Sequence, residues 1–153
     1  MHHRTFLPTL PTPALRLYPV FPYHIRVALA DTTLPKGGGP DGQSPIYVQA
    51  GALFNASFIV LHRLPSIWGP DAHDFNPDRW DSFKPKTWEF APFGGGPRAC
   101  VGRQKALMET SYLVVKMLRA FQAVEPRDDR DWVGQVQITA KNLIGCKVAL
   151  IPA

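Results

Sequence analysis

The hydrophobic pattern of this 153-residue chain changes period several times along its length. Its clearest helical stretch is 101–121, where Lys105, Glu109, Tyr112, Lys116 and Arg119 recur three or four apart and form one polar stripe. Leu107, Leu113, Val114, Met117, Leu118 and Phe121 fill the rest of the circumference, which predicts a largely buried helix. Residues 24–30 alternate, with Ile25, Val27 and Leu29 on one face, and read as a strand. Residues 46–49 read as a second strand and as its hairpin partner, across a turn-rich loop over 31–43. A helix is predicted over 52–62, within which 58–61 also fits a strand. Two late runs, 136–139 and 147–151, predict a terminal hairpin turning around 142–145. The start, 1–13, is proline-rich and reads as irregular; 14–18 reads as one short helical turn stopped by Pro19 and Pro22.

Between the two halves, residues 66–88 have no clear period. Loops of that length are functional or packed as Ω-like coils. Trp68, Phe75, Trp80, Phe83 and Trp88 are predicted to pack on one another there, and a buried Arg79 guanidinium to hold several backbone carbonyls. Short strands, one dominant helix and much coil give an α+β fold class.

Composition narrows this picture. The length suits one domain, and sixteen prolines with twelve glycines imply much irregular backbone. No run of about 18 apolar residues is present, so no membrane span is encoded, and the N-terminus lacks the apolar core of a signal peptide. A net charge of +5 suggests an anionic ligand or partner, but no basic, aromatic-interleaved motif supports nucleic acid. Two cysteines, Cys100 and Cys146, exclude a disulfide-rich scaffold and favour a reducing, intracellular setting. Cys146 is expected to pack in the last hairpin. The spacing of His24, His62 and His73 matches no zinc pattern.

The most informative stretch is Phe93-Gly94-Gly95-Gly96-Pro97-Arg98-Ala99-Cys100-Val101-Gly102. Three glycines permit tight turning and close approach by another body. Cys100 falls where the long helical pattern begins, and the unpaired N–H groups and dipole of a helix start favour thiolate. A thiolate in that setting ligates a metal or attacks an electrophile.

That stretch resembles the haem-binding signature of the cytochrome P-450 monooxygenases, in which a Cys thiolate holds haem iron. Phe75-Asn76-Pro77-Asp78-Arg79-Trp80 resembles the meander motif of the same family, and Leu15-Arg16-Leu17-Tyr18-Pro19 the end of its Glu-x-x-Arg helix. The resemblance covers 14–153, leaves 1–13 unmatched, and corresponds to the C-terminal part of a family member. It implies the C-terminal portion of a mainly-α fold with small β-sheets, and haem b as cofactor. By resemblance Cys100 is the axial iron ligand, Phe93 packs beside the sulfur, Arg98 and Arg26 reach haem propionates, and Gly102 leaves room for the porphyrin. Arg16 and Arg79 are implied structural residues that share a Glu in the family; Pro13 stands at that position here, so both cations are expected to lose their common anion.

The family also implies an NADPH-dependent flavoprotein reductase docking on a basic face, here Lys84, Lys86, Arg103, Lys105 and Arg119. The runs 32–42 and 61–72 are similar to fungal alkane and fatty-acid hydroxylases, which implies an apolar, lipid-like substrate. Val20, Phe21, Leu143 and Ile144 would face it. For full-length relatives the resemblance implies the cytoplasmic face of the endoplasmic reticulum. The oxygen-activating helix, most of the substrate pocket and the membrane anchor find no counterpart in this sequence. Three readings therefore stand: a catalytic segment completed by the missing N-terminal part of the same fold, a truncated remnant with weak or no haem binding, or, ranked last, a small redox or metal-binding thiol protein.

Overall fold

The computed structural model describes residues 11–153. They form two compact units, one made of 11–22 with Phe58–Ala153, the other of Tyr23–Ser57. Of the irregular start expected over 1–13, residues 1–10 lie outside the described range. The remainder is helical: α1 spans Pro11–Leu17 and contains two prolines. Both prolines sit in the first turn, whose N–H groups have no intrahelical acceptor, so helix formation loses nothing there.

The smaller unit holds four strands in two antiparallel ribbons, and its pairing differs from the expected hairpin. β1 (Tyr23–Val27) pairs with β4 (Leu53–Ser57), while β2 (Thr32–Gly38) pairs with β3 (Ser44–Val48). The second predicted strand thus finds its partner inside the stretch read as loop. Gly37 and Gly42 make this possible: both adopt positive φ, and the Gly37 N–H donates to the Gly42 carbonyl at 2.9 Å, closing a turn that a side chain at either place would strain. The helix predicted over 52–62 is also corrected. Leu53–Ser57 is strand, and only α2 (Phe58–Leu61) is helical, because β1 captures the first half as its partner.

In the larger unit two short helices interrupt the aperiodic stretch, α3 (Pro65–Trp68) and α4 (Arg79–Ser82). Trp68 is buried at the centre, with Trp80 at 5.8 Å, Phe83 at 5.1 Å and Phe90 at 6.1 Å between ring centroids. Phe75 and Trp88 were expected in this cluster but are exposed. Trp88 has φ 73°, a left-handed conformation that a bulky residue seldom adopts, and its side chain turns away to the glycine loop.

The long helix, α5, spans Arg103–Ala120, close to the predicted range. Its burial differs from expectation. No residue of α5 is fully buried, and Met108, Tyr112, Leu113 and Leu118 are largely exposed. α5 packs toward α1 and β5 (Phe121–Pro126), whereas its apolar side chains extend beyond those faces. The predicted terminal hairpin is replaced by two ribbons. β6 (Gly134–Val136) pairs with β7 (Ala140–Asn142), and β8 (Val148–Pro152) pairs with β5. β5 follows α5 without a linker, a junction that the helical period conceals. Cys146 is exposed and does not pack in a hairpin.

Candidate functional site

The glycine loop leaves the buried core at Ala91 and returns to helix α5. The Ala91 carbonyl accepts the Gly94 N–H at 2.9 Å, and Gly94 and Gly96 both adopt φ 66°. A 3-10 turn over Gly96–Arg98 follows, and the Cys100 N–H then donates to the Phe93 carbonyl at 2.9 Å. This bond closes the loop and brings the thiol's residue back beside Phe93. Gly102 caps α5, with its carbonyl accepting the Ala106 N–H at 2.9 Å.

Four of the predicted site residues, Phe93, Arg98, Cys100 and Gly102, are therefore gathered within one closed loop. Cys100 is a free, exposed thiol, and Val101 beside it is fully exposed. A Cβ on Gly102 would meet only the Cys100 Sγ, at 3.7 Å, so the space in front of the sulfur is open. On the other side of the loop a Cβ on Gly95 would lie 2.5 Å from the Trp88 ring, so glycine is required there for contact reasons. Phe93 is half-buried, with the Arg103 guanidinium 6.0 Å from its ring centre. Phe93, Leu15, Phe90, Arg103 and Leu107 also line a cleft of about 170 Å³. That volume falls below the roughly 300 Å³ at which small-molecule pockets begin, and Cys100 does not line it.

Arg26, the other predicted propionate contact, belongs to the smaller unit. There it is exposed on β1, and its Nη1 donates to the Ile25 carbonyl at 2.8 Å. Lys84, Lys86, Arg103, Lys105 and Arg119 are all exposed; Lys105 lies 3.7 Å from Glu109.

The two structural arginines are not left uncompensated. Arg16, 2% exposed, donates to the carbonyls of His62 at 2.8 Å, Ala72 at 2.5 Å and Asp74 at 2.7 Å. Its guanidinium lies 5.1 Å from the Trp68 ring centre. Arg79 donates to the Trp68 and Asp71 carbonyls and forms an ion pair with the Asp71 carboxylate at 2.6 Å. The carbonyl-holding role predicted for Arg79 is present, and Asp71, unmarked in the sequence reading, supplies an anion that holds its own pKa low through the Arg79 hydrogen bond. Burial lowers the Arg16 pKa, followed by repulsion from Arg79 and Arg63. Carbonyl dipoles, rather than a shared carboxylate, are the main local compensation for Arg16.

Sequence reasoning also missed His62, which it weighed only as a metal ligand. The ring is fully buried, and Nε2 accepts the Ala91 N–H at 3.1 Å, at the root of the glycine loop. Burial pushes its pKa down to about 4, with Arg16 and Arg63 adding repulsion. The available signal was a single histidine at the end of the apolar run Phe58–Leu61.

A family model, Cytochrome P-450, matches residues 13–141. The chain belongs to the cytochrome P-450 family. It is 50% identical over 121 residues to a cytochrome P-450 monooxygenase, g430, from Fusarium sp, covering 79% of this chain and 21% of that protein. It is 48% identical over 118 residues to cytochrome P-450 52A13 of Debaryomyces hansenii, covering 77% of this chain and 23% of the relative. Among solved structures, the crystal structure of a cytochrome P-450 (CYP102L1) superposes with a TM-score of 0.77 at 29% identity, over 97% of this chain and 32% of that one. The chain thus spans about a quarter of the length of the curated relatives it matches. Its helices and small antiparallel ribbons agree with the α+β C-terminal portion of the P-450 fold.

The family implies haem, and the residues fit it. Among the described residues no three His, Cys, Asp or Glu side chains converge to hold a bare ion. A single exposed thiol with an open, partly apolar front suits iron that arrives already ligated by a porphyrin. No helix among the described residues is long and apolar enough to cross a membrane.

Proposed function

We propose that this chain forms the thiolate-bearing part of a haem monooxygenase that hydroxylates alkane- or fatty-acid-like substrates. The observation that carries the reading is the closed loop that ends in an exposed Cys100 immediately before α5. Cys100 would hold the haem iron through its thiolate. Haem bound there supplies one-electron and dioxygen chemistry. The chain's own residues hold and shield it: Phe93 packs beside the sulfur and excludes water, and Gly102 keeps the front of the sulfur clear. Arg98 pairs with a propionate, a charge-assisted contact. Arg26 is assigned a second propionate by family resemblance alone.

Electrons derive from NADPH through a flavoprotein reductase, steered by Lys84, Lys86, Arg103, Lys105 and Arg119. The substrate reading draws on Val20, Phe21 and Leu143, which are exposed apolar residues. Their segments lie together, since the Ala140 N–H donates to the Val20 carbonyl at 2.7 Å. The full-length protein is assigned to the cytoplasmic face of the endoplasmic reticulum on the same resemblance.

The absorption spectrum of the reduced, carbon monoxide-treated protein tests this reading. A strongly red-shifted Soret band that Cys100→Ala abolishes is expected; a band unchanged by Cys100→Ala overturns the ligand assignment. A second reading, in which the exposed apolar surface of α5 stays uncovered, also stands. In it the chain is a non-catalytic remnant, and the same experiment then shows no retained haem.

A further inference from the structure

The root of the glycine loop is held by one imidazole. The His62 ring is enclosed by Phe58 at 5.8 Å, Trp68 at 6.4 Å and Phe90 at 5.1 Å between centroids, and none of it reaches solvent. Its Nε2 accepts the Ala91 N–H at 3.1 Å, which places the neutral ring's proton on Nδ1. That Nδ1 is buried and makes no hydrogen bond of normal geometry. Leu or Phe would fill the same space without burying a polar atom, but would leave the Ala91 N–H without an acceptor. The hydrogen bond of good geometry that the imidazole makes is thus the one at Ala91.

We propose that His62 is the positioning residue of the Cys100 loop, holding it through a relay of hydrogen bonds from Arg16 to Ala91. The Arg16 guanidinium fixes the His62 carbonyl at 2.8 Å, and the His62 ring fixes the Ala91 N–H. The Ala91 carbonyl then accepts from Gly94, and the Phe93 carbonyl from Cys100. The charged groups acting on the ring are Arg16 from α1 and Arg63 beside it, both cations, while Phe58, Trp68 and Phe90 carry no charge. All of these favour the neutral ring, the only form able to accept at Nε2; the Leu15 and Arg16 backbone oppose them only in part. The value of such positioning rests on Cys100 being the haem ligand, whereas the relay itself does not.

Amide hydrogen exchange on the full chain tests the relay, comparing wild type with His62→Leu and His62→Gln. Loss of the acceptor in His62→Leu should speed exchange at Ala91 and Cys100 about tenfold relative to Ala106 in α5, the worth of one neutral hydrogen bond. His62→Gln, whose carbonyl can accept, should restore protection. In wild type, loop protection corrected for intrinsic exchange should fall with a midpoint near pH 4, and this step should be absent from His62→Gln. Equal acceleration at Ala106, failure of glutamine to rescue, or no step in wild type each overturns the proposal. Where His62→Leu does not fold, the pH comparison of wild type with His62→Gln decides alone. Haem titration of wild type is read separately: no haem uptake with the exchange pattern intact overturns the ligand reading and leaves the relay standing.

Discussion

The arginine node around Trp68 and the loop around Cys100 are built on opposite principles. In the node, Arg16 and His62 are sealed from solvent, and five backbone carbonyls are bound by the Arg16 and Arg79 guanidiniums. In the loop, Arg98, Cys100 and Val101 face outward, and backbone hydrogen bonds set the shape beyond the His62 anchor at Ala91. The node spends charge on internal order. The loop keeps its chemical groups available. The contrast predicts that an exposed residue of the loop matters less to stability than a buried residue of the node.

The largest effect is expected in the node. Arg16→Ala removes the donors from two buried carbonyls and a part-buried one and should cost roughly 3–5 kcal/mol, read from denaturant midpoints. A loss below about 1 kcal/mol would mean that water reaches those carbonyls and that the node is not sealed.

Acid should weaken the node next. His62 titrates near 4 when folded and near 6.5 when unfolded, so the unfolded chain binds more protons between those values. Its contribution is present above pH 6.5 and is lost as pH falls toward 4, by at most about 3 kcal/mol. Urea titrations across that window check it, and His62→Gln should flatten the slope.

A steric change in the loop comes third. Gly95→Ala sets a methyl against the Trp88 ring and should cost about 1–3 kcal/mol. Placed in a Trp88→Ala background, the same substitution should cost much less; an unchanged cost would assign it to the backbone. Smallest of all is Cys100→Ala, which should shift stability by no more than about 0.5 kcal/mol because the thiol is exposed. A large loss there would erase the contrast between the two regions.

Legibility in the sequence followed the range of the interactions involved. α5 was readable because its 3.6-residue period is local, and the loop because its glycines and thiol are consecutive. Strand pairing was not readable: residues 53–57 suit a helix locally until β1 pairs with them, and Thr32–Gly38 hides a strand among glycines. The burial of α5 was over-predicted because periodicity shows which faces are apolar, not what lies against them. Arg79 was placed correctly as a holder of carbonyls, since an arginine among aromatics has few other uses. Arg16 was misjudged by looking for an anion where carbonyl oxygens serve. His62 was invisible because its task depends on Ala91, twenty-nine residues away.

The Trp88 indole that makes Gly95 obligatory also gives the loop an optical signal of its own. Trp68 is 2% exposed and Trp88 54% exposed. A soluble quencher should therefore extinguish the Trp88 emission while leaving that of Trp68 largely untouched. Movement of the glycine loop changes what the Trp88 ring touches, and hence the colour and quenching of its light. With Trp80 and the 38% exposed Trp132 replaced by phenylalanine, fluorescence would follow the loop and the core as two separate channels within one unlabelled chain.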